Sequence, residues 1–131
     1  MNIPHSEEEK EEDFLEYLYM GWKSGTEIWP HQVKMHLELM DAELKRLERG
    51  LMASGYLRKR AENSGYRLTE LGKVQGEECL LRHHNLTQFL QMTCGLEEEE
   101  AEENACRMEH VISSESFAAI KPVSYTHLTL P

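Results

Sequence analysis

Apolar residues at Phe14, Leu15, Leu18 and Trp22 recur at helical spacing. Ser6, followed three residues on by Glu9, has the form of a capping box just ahead of them. Together these predict a first helix over about 6–23, closed by Gly21 and "KSGTE". "WPHQVKMHLEL" opens on Pro30, which suits a first helical turn, and sets Val33 and Leu37 on one stripe. That is a short second helix. In "LMDAELKRLERGLMASGY", Asp41 is placed to cap a third helix. Leu44, Leu47 and Leu51 form its apolar stripe, and Gly55 stands at its C-terminal cap. Two short helices joined by a brief turn predict a helix-turn-helix.

Period-2 patterning follows. "YLRKR" and "YRLT" are short candidate strands, with "ENSG" as the turn between them. A hairpin directly after a helix-turn-helix is a wing. Thr69 then caps a long helix over about 70–93, whose buried side is expected at Leu80, Leu81, Leu86, Phe89 and Leu90. "TCGL" breaks it. A fifth helix runs from the acidic "EEEEAEEN" through Cys106 to His110. "SSESFAAIK" predicts one more short helix, with Ser114 as its cap and Pro122 as its stop. The pattern is mainly α: a winged helix-turn-helix with a small two-stranded wing over 1–72, then a helical domain over 73–123. "SYTHLTLP", residues 124–131, has no cap, stripe or charge and reads as a tail foreign to the fold.

With 131 residues, 40% of them hydrophobic, the chain can form one domain or two small lobes. No apolar run is long enough for a bilayer, and "MNIPHSEEEK" lacks the basic and apolar regions of a secretory signal. Cys79, Cys94 and Cys106 are odd in number and widely spaced, so a reducing, cytoplasmic setting is expected. The net charge of −10 taken alone argues against nucleic acid. The charge is uneven, however. Residues 7–16 and 97–109 hold most of the acid, whereas 45–60 hold Lys45, Arg46, Arg49, Arg58, Lys59 and Arg60. An acidic protein can still present a basic face.

In "ACRMEHVIS", Cys106, Glu109 and His110 stand at i, i+3 and i+4, on one face of the fifth helix. Asp13 and Glu16 share a face of the first, and His83 lies within the fourth. Singly, each has a plainer reading. Asp13 ends a solvated acidic run, one of His83 and His84 belongs to the surface, and Cys106 alone is more often a small buried hydrophobe. As a set from three helices they make a first shell for a divalent transition metal, provided the fold brings them together.

The order of "EDFLEYLY", the winged helix ending "GYRLTELG", "RHHNLTQFL" and "ACRMEHVIS" resembles the diphtheria toxin repressor family of metal-dependent transcriptional regulators. The likeness is closest to its short manganese-transport-regulator branch and covers about 10–122. It implies Asp13 and Glu16 as the first-helix ligands, His83 from the fourth helix, and Cys106, Glu109 and His110 from the fifth. Cysteine at 106 is the iron-type choice, and the mixed donor set leaves Fe2+ and Mn2+ as joint favourites. The chain also departs from the family. The acidic ligand of the iron-type ancillary site falls on Thr87 and one of its histidines on Glu102, and the SH3-like third domain of longer members has no counterpart.

The resemblance implies a metal-dependent repressor of metal-uptake genes that binds an operator duplex as a homodimer. Its apolar fourth helix and its last short helix would pair across a two-fold axis. Lys45, Arg46 and Arg49 are candidates for base or phosphate contact, and Arg58, Lys59, Arg60 and Arg67 for phosphate contact from the wing. The plainer reading of both groups is a solvated charged face. Glu43 and Glu48 on the third helix would repel phosphates, which favours a winged helix that serves protein interaction instead. A helical carboxylate metalloenzyme is the third reading. Di-iron sites of that kind repeat Glu-x-x-His, which does not recur here, so no enzyme is expected.

Overall fold

Ser6 caps the first helix: its Oγ accepts the Glu9 N–H at 3.2 Å, with Glu7, Glu8 and Glu9 at the positive end of the helix dipole. The computed structural model describes residues 6–113 and 115–119, and at Glu109 and His110 the backbone alone. Its helices are α1 (Glu7–Lys23), α2 (Pro30–His36), α3 (Asp41–Ala53), α4 (Glu70–Cys94) and α5 (Glu98–Val111). Residues 115–119 are helical as well. The chain divides into two compact units, Met1–Cys79 and Leu80–Pro131, and α4 runs through the boundary.

In the first unit α1 packs on α3, and α2 packs on α3. Phe14, Leu15 and Leu18 of α1, Val33 of α2, and Leu44, Leu47 and Leu51 of α3 are all buried, as their stripes predict. Trp22 differs. It is 53% exposed, and Tyr19 occupies the core in its place. The indole instead takes the Lys73 ammonium over its ring, 4.5 Å from the centroid.

Each of the first three helices ends with the same double hydrogen bond. After α3, Tyr56 N–H reaches Leu51 O and Gly55 N–H reaches Met52 O, with Gly55 at φ 83°. After α2, Leu39 N–H reaches Lys34 O and Glu38 N–H reaches Met35 O, but the left-handed residue is Glu38, at φ 54°. Met40, rather than Asp41, is the cap residue of α3, and Asp41 begins the helix. The Glu43 carboxylate reaches back to accept the Met40 N–H at 3.4 Å.

Among the described residues no strand forms. The expected wing narrows to one antiparallel bridge, Leu57 with Leu68, beside the Arg58 N–H to Arg67 O bond. The ladder stops there because the neighbouring groups bond elsewhere. Tyr66 N–H turns to Ile28 O in the α1–α2 loop, and the Arg60 guanidinium gathers the Ala61, Glu62 and Ser64 carbonyls at the tip. Thr69 closes the wing and starts α4, donating to Gly55 O and accepting the Gly72 N–H. A Cβ at Gly72 would meet the Tyr56 carbonyl, and one at Gly76 would lie 2.7 Å from Tyr19 Cβ. Glycine at both positions lets α4 start hard against the winged helix.

The second unit is built on Leu86 and Leu90 of α4 against Ala101 and Ala105 of α5, with Phe89, Leu96, Met108, Ile112 and Phe117 around them. Leu81, expected on the buried side, is 47% exposed. The final helical turn is capped by Ser113, whose Oγ accepts the Ser116 N–H at 3.1 Å. The expected cap Ser114, the stop at Pro122 and the segment 124–131 lie outside the described residues.

Candidate metal centre and nucleic-acid interface

Asp13 and Glu16 lie half-buried one turn apart on α1, in the first unit. The other candidate ligands belong to the second unit. His83 stands one turn before Leu86 on α4, with its Nδ1 shut away from solvent, while His84 is exposed. Cys106 is half-buried and follows directly on the fully buried Ala105. The α5 backbone is helical through Val111, so positions 106, 109 and 110 share one face. The seam of α4 and α5 buries Leu86 and Ala105, and His83 and Cys106 lie on those same two helices.

Among the described residues no three His, Cys, Asp or Glu side chains stand grouped for a metal, and the side chains of Glu109 and His110 fall outside that description. The donor chemistry of the set is three carboxylates, two imidazoles and one thiol, which fits a first-row divalent ion. The two ancillary positions, Thr87 and Glu102, stand apart in character from that set. The Thr87 hydroxyl donates to the His83 carbonyl at 2.9 Å, and Glu102 is exposed.

The basic candidates divide into two sets. Lys45, Arg49, Arg58 and Lys59 are exposed. Arg46, Arg60 and Arg67 already have partners. Arg46 Nε lies 2.7 Å from the Glu7 carboxylate, which holds the guanidinium protonated even more firmly than usual. Arg60 staples the wing tip, as described. Arg67 pairs with Glu27 at 3.1 Å, and Glu27 also accepts the Gly65 N–H at 2.8 Å. That backbone bond, with help from Arg67, holds the Glu27 carboxyl below the usual range.

Glu43 and Glu48 have internal duties that their sequence positions do not disclose. Lys10 of α1 lies 2.6 Å from Glu43, and that bond, with the Met40 N–H, keeps its carboxyl below the usual range. Glu48 accepts the Tyr66 hydroxyl at 2.9 Å. Burial, together with the Glu48 charge, pushes the Tyr66 phenol well above its ordinary range, so it remains a donor. Lys10 offsets the charge of Glu43, whereas Glu48, bonded to a neutral phenol, keeps its negative charge. Glu7, Lys10, Glu27 and Tyr66 escape sequence reasoning because their partners lie far along the chain.

Residues 69–123 match the model of the iron dependent repressor, metal binding and dimerisation domain. That stretch is similar to the metal binding and dimerisation domain of iron dependent repressors. An uncharacterized HTH-type transcriptional regulator of Methanocaldococcus jannaschii is 29% identical over 111 residues, covering 84% of this chain and 88% of that protein. Three solved structures share the fold. The manganese regulator SloR has a TM-score of 0.76 at 19% identity, over 86% of this chain and 52% of its own. IdeR of T. acidophilum has 0.70 at 17%, over 99% and 56%. The apo form of the manganese-activated repressor ScaR has 0.68 at 26%, over 91% and 54%. The chain therefore spans about half the length of these solved relatives. The M. jannaschii protein and SloR are named as regulators, and ScaR as a repressor.

Proposed function

We propose that this protein is a DNA-binding transcriptional regulator activated by Fe2+ or Mn2+, that it represses metal-uptake genes, and that it works as a homodimer. One observation carries the reading. The stretch matched to a metal binding and dimerisation domain, residues 69–123, contains four of the six candidate ligands: His83, Cys106, Glu109 and His110. Asp13 and Glu16 complete the set from α1.

A bound divalent ion would supply positive charge that offsets the mutual repulsion of three carboxylates. The remaining work falls to the chain. α1, which carries Asp13 and Glu16, also holds α3 through Lys10 to Glu43 and Glu7 to Arg46. A change in the favoured position of α1 is thereby passed to the helix with the exposed Lys45 and Arg49. In a homodimer, two such helices would be set to half-sites about one DNA turn apart.

The test is fluorescence anisotropy with duplexes drawn from upstream of the protein's own gene and of neighbouring metal transporters. It is run with Mn2+, with Fe2+ under anaerobic conditions, and with chelator, at two salt levels. Binding that needs metal and falls steeply with salt is expected. Equal binding in chelator would remove the co-repressor role, and no binding on any duplex would favour a protein-interaction module. Calorimetric metal titration of His83→Ala and Glu109→Ala should give weaker binding or fewer sites, and unchanged isotherms in both would overturn the ligand set.

A further inference from the structure

A groove of about 740 Å3 opens within the first unit. The C-terminal half of α1, the α1–α2 loop, the base of the wing and the first turn of α4 form its walls. Its floor is apolar, with Leu18, Ile28 and Leu68 each less than 10% exposed. Its rim carries Arg58, Arg67 and Lys73 against a single carboxylate, Glu27. In a chain with 24 acidic and 14 basic residues, that is a local reversal of sign. Glu27 is held by Arg67 and the Gly65 N–H, and Lys73 shares its charge with the outward-lying Glu70 at 3.1 Å, so the rim charge falls chiefly to Arg58, with Lys73 available by exchange of that surface pair. The exposed Trp22 ring borders the same space.

We propose that this groove binds a small aromatic carboxylate, with its ring on the apolar floor beside Trp22 and its carboxylate on Arg58 and Lys73. The volume lies in the range of small-molecule sites, which combine apolar lining with a few polar groups that fix orientation. A planar ring can meet the edge of the indole, whose face carries the Lys73 ammonium. A guanidinium fork and an ammonium match a carboxylate. A bare inorganic anion would satisfy the rim and leave the floor uncovered. The proposal does not depend on the metal or on operator binding.

The test titrates the full chain with benzoate and follows the 15N–1H spectrum. The two tryptophans give two indole N–H signals, and Trp22→Phe identifies the one at issue. Saturable movement of the Trp22 signal is expected. Arg58→Gln and Lys73→Gln should each weaken binding about fivefold or more, and benzamide and inorganic phosphate should bind about tenfold more weakly than benzoate. The spectrum itself reports that each variant is folded. Equal binding of benzamide would remove anion recognition, and equal binding of phosphate would reduce the groove to an adventitious ion site. Failure of benzoate to saturate, with a DNA duplex moving the Trp22 signal instead, would assign the groove to nucleic acid. Failure of every probe to move that signal would equally overturn the proposal.

Discussion

Glu38 occupies a position that the chain fills with glycine after α1 and α3. Its φ of 54° compares with 74° at Gly25 and 83° at Gly55, each in the same hydrogen-bonded helix ending. A side chain in the left-handed region costs about 1 kcal/mol that glycine does not incur. Glu38→Gly should therefore raise stability by up to about 1 kcal/mol, offset in part by the greater freedom of glycine in the unfolded chain. Urea denaturation at neutral pH checks this, and a loss of stability would mean that the Glu38 side chain contributes more than its strain costs. At Tyr66 the hydroxyl joins the wing base to Glu48 of α3. Tyr66→Phe should cost about 1–2 kcal/mol, because a buried bond to a charged acceptor is lost. The Phe14 edge contact with the Tyr66 ring, 5.2 Å between centroids, should survive.

The first two turns of α1 lie along α3, with Glu7 on Arg46 and Lys10 on Glu43. Glu11 also packs where a side chain at Gly50 would stand. Exposed pairs of this kind add little to stability but decide which charges are available to a partner. Arg46 is committed to Glu7 in the free protein, and Glu7 brings a negative charge to the face proposed for DNA. Glu7→Gln should then raise affinity for an operator duplex severalfold at low salt, with less effect at high salt. Anisotropy at two ionic strengths reads both effects. An unchanged affinity at low salt would place Arg46 outside the DNA contact.

At the scale of the whole molecule, three carboxyls among the described residues are held below their usual range by bonds made only in the folded state. Gly65 N–H and Arg67 act on Glu27, Lys34 on Asp41, and Lys10 and Met40 N–H on Glu43. A group whose folded pKa is lowered stabilises the fold above its unfolded pKa, and that stabilisation is lost as pH falls through the folded value. The denaturant midpoint should therefore hold from neutral pH to about pH 5 and decline below it. Glu27→Gln should decline less steeply over the acid range, because Gln can still accept the Gly65 N–H and does not titrate. A parallel decline in the variant would show that Glu27 has no share in it. Between α4 and α5, association rests on apolar contact instead, so Leu86→Ala, at a fully buried site, should cost about 2–5 kcal/mol in the same assay.

The sequence by itself determined the helices and most of their ends. A cap at Ser6 or Thr69, a stripe of Leu44, Leu47 and Leu51, and a stop at Gly55 all depend on residues within a turn or two of one another. It also placed the candidate ligands on their helices, because spacing fixes which positions share a face. The tertiary structure alone decided which charges remain available. Glu43 meets a lysine 33 residues away, and Arg46 meets a glutamate 39 residues away. No local pattern encodes such pairs. Trp22 and Tyr19 fit the same helical pattern equally well, and packing chose between them. The wing gave up its ladder because Tyr66 N–H found Ile28 O across the fold and Arg60 collected the carbonyls at the tip. Backbone groups satisfied elsewhere have nothing left to offer a second strand.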